Sequence, residues 1–299
     1  MPDNERASIL AELTPPFTLL KPVEQLAPVV FCSPHSGRIY PRAFLEASRL
    51  DPHTLRKSED CYVDELFEPV VALGAPLIAA RFPRAYLDVN REPYELDPEL
   101  FQGRLPAFAN TQSARVVGGL GTIARIVADT EEIYRQRLPI GAAFERIERL
   151  YRPFHGALAE LLEATRKRFG AAILIDCHSM PSSTMGQPAG GRPHFVLGDR
   201  FGASCDAKLT RFTRDVLQRS GFEVQVNRPY AGGFITEHYG SPARGVHALQ
   251  LEINRALYLD ESTLSKSRDF AKLVRTLSEM AARVFDALPL LLERRAAAE

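Results

Sequence analysis

The sequence predicts an α/β protein: a single domain with a mixed, mostly parallel sheet flanked by helices. Short apolar runs of strand length alternate along the chain with segments of helical periodicity, the pattern of strands joined by crossover helices. Two of those runs, Val29-Val30-Phe31-Cys32-Ser33-Pro34-His35 and Ala171-Ala172-Ile173-Leu174-Ile175-Asp176-Cys177-His178, end abruptly in polar, chemically capable side chains. In open α/β sheets ligands bind beyond the carboxyl ends of strands, so those endings matter. A hydrophobic content of 45% and a charged content of 25% over 299 residues suit a globular chain with a sizeable core.

The elements follow in order. Residues 1–27, with Pro15, Pro16 and Pro22, read as an irregular lead-in, and 28–299 as one α/β domain without linker or repeat. A strand is expected at 28–33, then helices at 42–50 and 59–73. In the second helix Val63, Leu66, Phe67, Val70 and Val71 recur at helical spacing and Gly74 supplies a stop. Strands are expected at 76–80 and at Ala85-Tyr86-Leu87-Asp88-Val89. Residues 92–122, with Pro93, Pro98, Pro106 and Gly118-Gly119, form a long loop of the kind that tends to be functional. Residues 140–168 read as helical with Pro153 a kink or break. A strand at 171–178 is followed by a Pro-, Gly- and Ser-rich loop at 181–193, a strand at 194–197, a helix at 204–220 and a strand at 223–226. Gly232-Gly233 gives a permissive backbone, 246–253 a strand and 261–291 a terminal helical region.

Composition excludes several classes. The formal net charge is zero, so neither nucleic acid nor an anionic membrane is favoured as a partner. No run of about 18 apolar residues is present, and the first residues lack the order of a signal peptide, so a cytoplasmic protein is expected. Cys32, Cys61, Cys177 and Cys205 form no C-x-x-C pair and no zinc-finger spacing. Cys177 is expected to point away from the face that carries Asp176 and His178, because side chains alternate along a strand. Oligomeric state leaves no signal in the sequence.

What remains is a set of strand-end groups. A catalytic zinc commonly takes two histidines and a carboxylate and keeps an open position. His35 and His178 are the best-placed histidines; Glu59, Asp60 and Asp176 are candidates for the acid, and Asp176 can instead orient a ligand. Asn90-Arg91, beside Glu92-Pro93, suits capture of a carboxylate by a planar guanidinium fork. On strand 246–253, Leu249, Leu251 and Ile253 share one face, and Gln250 and Glu252 the other. Glu252 there is either a general base or a structural ion-pair partner. His53, His155 and His238 read as surface or structural residues, His194 can line a pocket, and His247 is a second-tier substrate or support residue.

Several motifs in order resemble the N-formylglutamate amidohydrolase family. They are Pro34-His35-Ser36-Gly37 with Tyr40-Pro41, then Asp60 before Val63-Asp64-Glu65-Leu66, then Arg84 with Asp88-Val89-Asn90-Arg91. Asp176-Cys177-His178-Ser179, Pro229-Tyr230 with Gly232-Gly233, Tyr239-Gly240, and Gly245 to Glu252 complete the series, which runs from about residue 28 to about residue 290. That family is related to zinc carboxypeptidases and aspartoacylases, and the resemblance implies their mixed-sheet fold and a zinc amidase. It implies His35, Asp60 and His178 as metal ligands, although the carboxypeptidase pattern has its acid three residues after the first histidine, where this chain has Arg38. It implies Glu252 as general base and Arg84 as the arginine that polarises the scissile carbonyl. Asn90 and Arg91 would hold a substrate carboxylate, with Tyr230, Arg244 and His247 as further substrate contacts.

The implied reaction removes the formyl group from N-formyl-L-glutamate, in the setting of histidine degradation, with a small acyl amino acid as substrate and neither nucleic acid nor membrane as partner. Alternatives are another N-acyl-amino-acid amidohydrolase, a carboxypeptidase-like zinc hydrolase, or a non-catalytic binding protein on the same scaffold. Retention of the glutamate, the arginines and both histidines counts against the last. No phosphate-binding glycine motif follows a strand, so a nucleotide is not expected.

Overall fold

The computed structural model describes residues 2–127, 131–182 and 193–292. Strands are β1 (Phe17–Leu20), β2 (Val29–Ser33), β3 (Leu77–Ala80), β4 (Phe101–Gln102), β5 (Leu138–Pro139), β6 (Ala172–Met180), β7 (Phe195–Gly198), β8 (Val224–Val226), β9 (Val246–Asn254), β10 (Leu259–Asp260) and β11 (Ser265–Lys266). Helices are α1 (Pro2–Glu12), α2 (Arg42–Ala47), α3 (Pro52–Arg56), α4 (Val63–Phe67), α5 (Ala114–Val117), α6 (Ile140–Arg146), α7 (Arg152–Phe169), α8 (Ala207–Arg219), α9 (Phe234–Tyr239) and α10 (Phe270–Leu292).

A seven-stranded sheet runs in the order β1-β3-β2-β6-β9-β7-β8. β2, β6 and β9 are parallel, β7 is antiparallel to β9, and β8 is parallel to β7. The expected mixed α/β sheet is therefore present. Contacts group the chain into two compact units. One comprises Met1–Leu19, Ser33–Val63 and Ile78–Ala159; the other comprises Leu20–Cys32, Asp64–Leu77 and Glu160–Glu299.

In the second unit the strand alternation is clean. Val29, Phe31, Ile175, Leu249 and Leu251 turn to Met280, Ala281, Val284 and Phe285 of α10. Burying each such side chain stabilises by roughly 1.5–3 kcal/mol. The opposite face of β6 and β9 is left to polar groups. In the first unit α1 packs on α6, and its Ile9 and the following Leu13 are buried. The buried Arg146 ties the unit together. Its Nε donates to Glu5 at 2.7 Å, and its Nη1 donates to the Tyr86 carbonyl at 3.0 Å and to the Tyr134 hydroxyl at 2.7 Å.

Five expectations need correction. The lead-in is not irregular: it holds α1 and the strand β1. The apolar run 85–89 is not a strand. Pro83 starts a helical turn in which the amides of Tyr86 and Leu87 both reach its carbonyl, and Asp88 then captures the Asn90 amide. Its residues are buried on all sides, so their apolar character did not imply a sheet. The helix expected at 59–73 is only α4 followed by a 3₁₀ turn, Glu68–Val71, because Pro69 lacks the N–H that would continue it. Pro153 does not break its helix. A π turn at Ile147–Tyr151 precedes it, and the chain stays helical from Ile140 to Phe169. The terminal helix starts at Phe270, after a β10–β11 pairing, rather than at 261. Most of the 181–193 loop lies outside the described residues. No helix among the described residues is long and apolar enough to cross a membrane.

Candidate active site

His35 follows β2 by two residues and is 1% exposed. Its placement rests on the neighbouring turn: the His35 carbonyl accepts the Asp60 amide at 3.0 Å, which brings residue 60 back beside it. Gly37 allows the tight course that follows, since a Cβ there would overlap the Phe82 carbonyl. The His35 ring is held at both nitrogens. Nε2 lies 2.7 Å from Asp88 Oδ1, and Nδ1 lies 3.4 Å from Asp60 Oδ2.

Asp88 is the hub of this unit's site. Besides His35 it accepts the Arg84 Nη2 at 2.8 Å and the Asn90 amide at 2.8 Å, and Arg91 Nη2 lies 3.6 Å away. Burial would raise its pKa. The charges of Arg91 and Arg84, together with the hydrogen-bonded His35 imidazole, outweigh that and hold the carboxyl well below the usual range. Asp88 is therefore a fixed anion, suited to orienting His35. Arg91 is nearly buried, with Nε donating to the Leu120 carbonyl at 2.9 Å and Nη1 to the Asn90 carbonyl at 2.8 Å. The Nη1–Nη2 edge keeps free hydrogens, and that edge can meet a carboxylate with two parallel bonds. The π turn and α7 hold this segment: Tyr151 of the π turn donates to the Arg91 carbonyl, and His155 Nε2 of α7 lies 2.8 Å from the Val89 carbonyl.

In the second unit two adjacent strands run in register. On the polar face of β6 and β9, Asp176 pairs with Gln250 and His178 with Glu252. His178 is 3% exposed, and its Nε2 lies 3.0 Å from Asp176 Oδ2. Glu252 is 8% exposed and accepts a 2.8 Å bond from Gln250 Nε2; the Gln250 carbonyl in turn accepts the Gly233 amide at 2.7 Å. The hydrogen bond from Gln250 thus fixes the direction of the glutamate. Burial, reinforced by the charge of Asp176, pushes the thiols of Cys32 and Cys177 well up, so both stay protonated and inert.

His35, Asp60 and His178 each offer one ligand atom, and those atoms lie within 4.8 Å of one another, all three residues being buried. Two imidazoles and a carboxylate are the donor set of a three-ligand catalytic metal, and His35 has the Asp88 carboxylate at Nε2, the kind of partner that orients a metal-binding histidine. The residues fit a divalent cation. Of the other acids considered, Glu59 is committed elsewhere: it accepts from the Tyr40 hydroxyl at 2.7 Å and from Arg56 at 3.0 Å. Asp176 lies on the same strand face as His178, its Oδ2 3.0 Å from His178 Nε2.

His247 and Arg244 lie at the opposite end of β9 from Glu252. His247 lies at the amino end of β9, beside Ile173, about 16 Å of strand from Glu252. Its Nδ1 accepts the Asp206 amide at 3.2 Å, a structural role at the start of α8. Arg244 precedes that same end and is exposed. Tyr230 is half-buried in the segment leading to Gly233. His194 Nδ1 accepts the Glu223 amide at 2.9 Å. Sequence reasoning passed over Asp88 and Gln250. Asp88 had a signal, an acid set between Arg84 and Arg91; Gln250 had only its place two residues before Glu252.

A mixed α/β sheet thus carries a buried two-histidine, one-carboxylate cluster that could hold a metal ion. Residues 27–259 match the sequence model of the family described as N-formylglutamate amidohydrolase. The chain is 32% identical over 242 residues to the N-formylglutamate deformylase of Pseudomonas putida, a match covering 79% of this chain and 83% of that one. It is 31% identical over 239 residues to the corresponding protein of Pseudomonas aeruginosa, covering 78% and 83%. The crystal structure of N-formylglutamate amidohydrolase from Ralstonia eutropha JMP134 is similar with a TM-score of 0.87 at 36% identity, over 92% of this chain and 99% of that one. The chain belongs to the N-formylglutamate amidohydrolase family.

Proposed function

We propose that this protein hydrolyses N-formyl-L-glutamate to glutamate and formate, with a divalent metal, zinc by its donor set, held by His35, Asp60 and His178. The observation that carries the reading is that ligand cluster, within 4.8 Å and buried, in a chain of this family. A cation held there supplies Lewis-acid polarisation of a carbonyl and a hydroxide-like nucleophile near neutral pH.

The chain's own residues do the rest. Glu252, held by Gln250 on the strand beside His178, accepts the proton of the attacking water and returns it to the departing amine nitrogen. Arg84 donates to the formyl oxygen as negative charge develops there; it is partly exposed and anchored through Asp88 at 2.8 Å. Arg91, supported by Asn90, offers its remaining guanidinium edge to a substrate carboxylate. Asp88 keeps His35 and both arginines in place. His247 and Arg244, at the other end of β9, take no part.

The reading is tested by incubating the purified protein with N-formyl-L-glutamate, N-acetyl-L-glutamate and a C-terminal glutamyl dipeptide, and measuring formate, acetate and free amino acid. Formate release well above the other two is expected. Preferential cleavage of the dipeptide or the acetyl compound would replace it with one of the rival hydrolases.

A further inference from the structure

We propose that Arg115 is a specificity-determining residue that binds the second carboxylate of a dicarboxylic N-formyl amino acid. The inference rests on the proposed activity and extends it from the reaction to the reading of the side chain.

Arg115 lies in α5, within the 92–122 segment, where Ser113 caps the turn by accepting the Val116 amide. One residue joins it to the site. The Leu120 amide donates to the Arg115 carbonyl at 2.7 Å, and the Leu120 carbonyl accepts Arg91 Nε at 2.9 Å. The turn bearing Arg115 is therefore fastened to the guanidinium proposed to hold the first carboxylate. Among the described residues no hydrogen bond or ion pair engages the Arg115 side chain, which is half-buried. Other arginines of the chain find a glutamate three or four residues away, as Arg42, Arg149, Arg152 and Arg166 do. Arg115 has Thr111, Gln112, Gly118 and Gly119 at those positions, so its own turn supplies no anion.

The cations gathered here outnumber the free anions. Asp88 is already shared by His35, Arg84 and the Asn90 amide, and buried Glu95 accepts the Glu92 amide. Burial lowers the pKa of Arg91; Asp88 and Glu95 favour its charge, while the positive charges of Arg84 and Arg115 oppose it, so Arg91 and Arg115 repel one another. A dianion relieves that repulsion; a monoanion relieves only part of it. N-formylglutamate carries two carboxylates, one for Arg91 and one for Arg115.

The test compares kcat/KM for N-formyl-L-glutamate and N-formyl-L-glutamine in the wild type, Arg115→Gln and Arg115→Lys, with melting temperature and metal content measured on each. A charged hydrogen-bond partner is worth about 10–100-fold. The preference for the glutamate compound should therefore fall by about tenfold or more in Arg115→Gln, mainly through KM, and recover in part with lysine. Equal losses on both substrates, or an unchanged ratio, would overturn the assignment, as would a wild type that does not prefer the dicarboxylate. Wild-type turnover of N-formyl-L-glutamate separately decides the underlying reading. If that fails, calorimetry with L-glutamate and L-glutamine still reads Arg115: tighter glutamate binding that disappears in Arg115→Gln supports it, and no difference removes it.

Discussion

Glu252 and Gln250 illustrate how one side chain gains a single orientation. A carboxylate that is 8% exposed needs a partner, and here the partner is an amide whose own carbonyl is held by the Gly233 backbone. The chain Gly233–Gln250–Glu252 leaves Glu252 aimed along the polar face, beside His178. Glu252→Gln should accordingly fold, retain metal and keep the wild-type melting temperature, while turnover falls by about 10²–10⁴-fold, the usual contribution of a general base. Measuring kcat, metal content and thermal unfolding on one preparation separates the roles; a folded, metal-loaded variant with near wild-type turnover removes Glu252 from the mechanism. The strand alternation that set Glu252 against Leu251 was readable in the sequence. The hydrogen bond from Gln250 was not, because it depends on where the Gly232-Gly233 segment returns.

At the scale of elements, parallel pairing of β6 with β9 decides which residues belong to the site. It sets both carboxyl ends side by side, Glu252 next to His178, and sends His247 to the far end with Ile173. There His247 joins the amino end of β9 to α8 by accepting the Asp206 amide. That bond needs an unprotonated Nδ1, and burial lowers the pKa of His247 below its ordinary value, partly opposed by Asp206. The sign follows from linkage. A folded-state pKa below the unfolded value, near 6.5, gives stability that is fully present above that pH and is lost as pH falls through the folded value. Melting temperature should therefore drop more steeply from pH 7.5 to 5.5 in the wild type than in His247→Gln, which keeps an acceptor but does not titrate. Parallel slopes in the two proteins would show that β9 and α8 are not coupled through this proton.

Elements were readable where periodicity was strong, as in β2, β6, β9 and α8. They were misread where proline acts through context. Pro83 opened a turn in place of the strand expected at 85–89, and Pro153 was absorbed after a π turn. The turn at 83–91 matters most, because it lets Asp88 reach His35, Arg84 and Arg91 together, which an extended strand would not allow. Its residues were identified from the sequence; the shape that joins them was not.

On the scale of the whole chain, the proposed ligands stand at positions 35, 60 and 178, and only folding gathers their donor atoms to within 4.8 Å. A metal bound by such a set stabilises the native state relative to the unfolded one, so its removal should lower the melting temperature as well as activity. The two strand-end histidines were apparent from sequence. The choice among Glu59, Asp60 and Asp176 was not, since each is an acid near a histidine. Folding engages Glu59 with Tyr40 and Arg56 and sets Asp60 beside His35.

The most direct test of a metal-dependent formylglutamate hydrolase is a metal titration. Protein stripped with chelator, its metal content checked by elemental analysis, is assayed for formate release from N-formyl-L-glutamate as zinc is added back. The account predicts negligible release from the stripped protein, recovery that saturates near one equivalent per chain, and loss of that recovery in His35→Ala and His178→Ala. Full formate release from protein shown to be metal-free would contradict it.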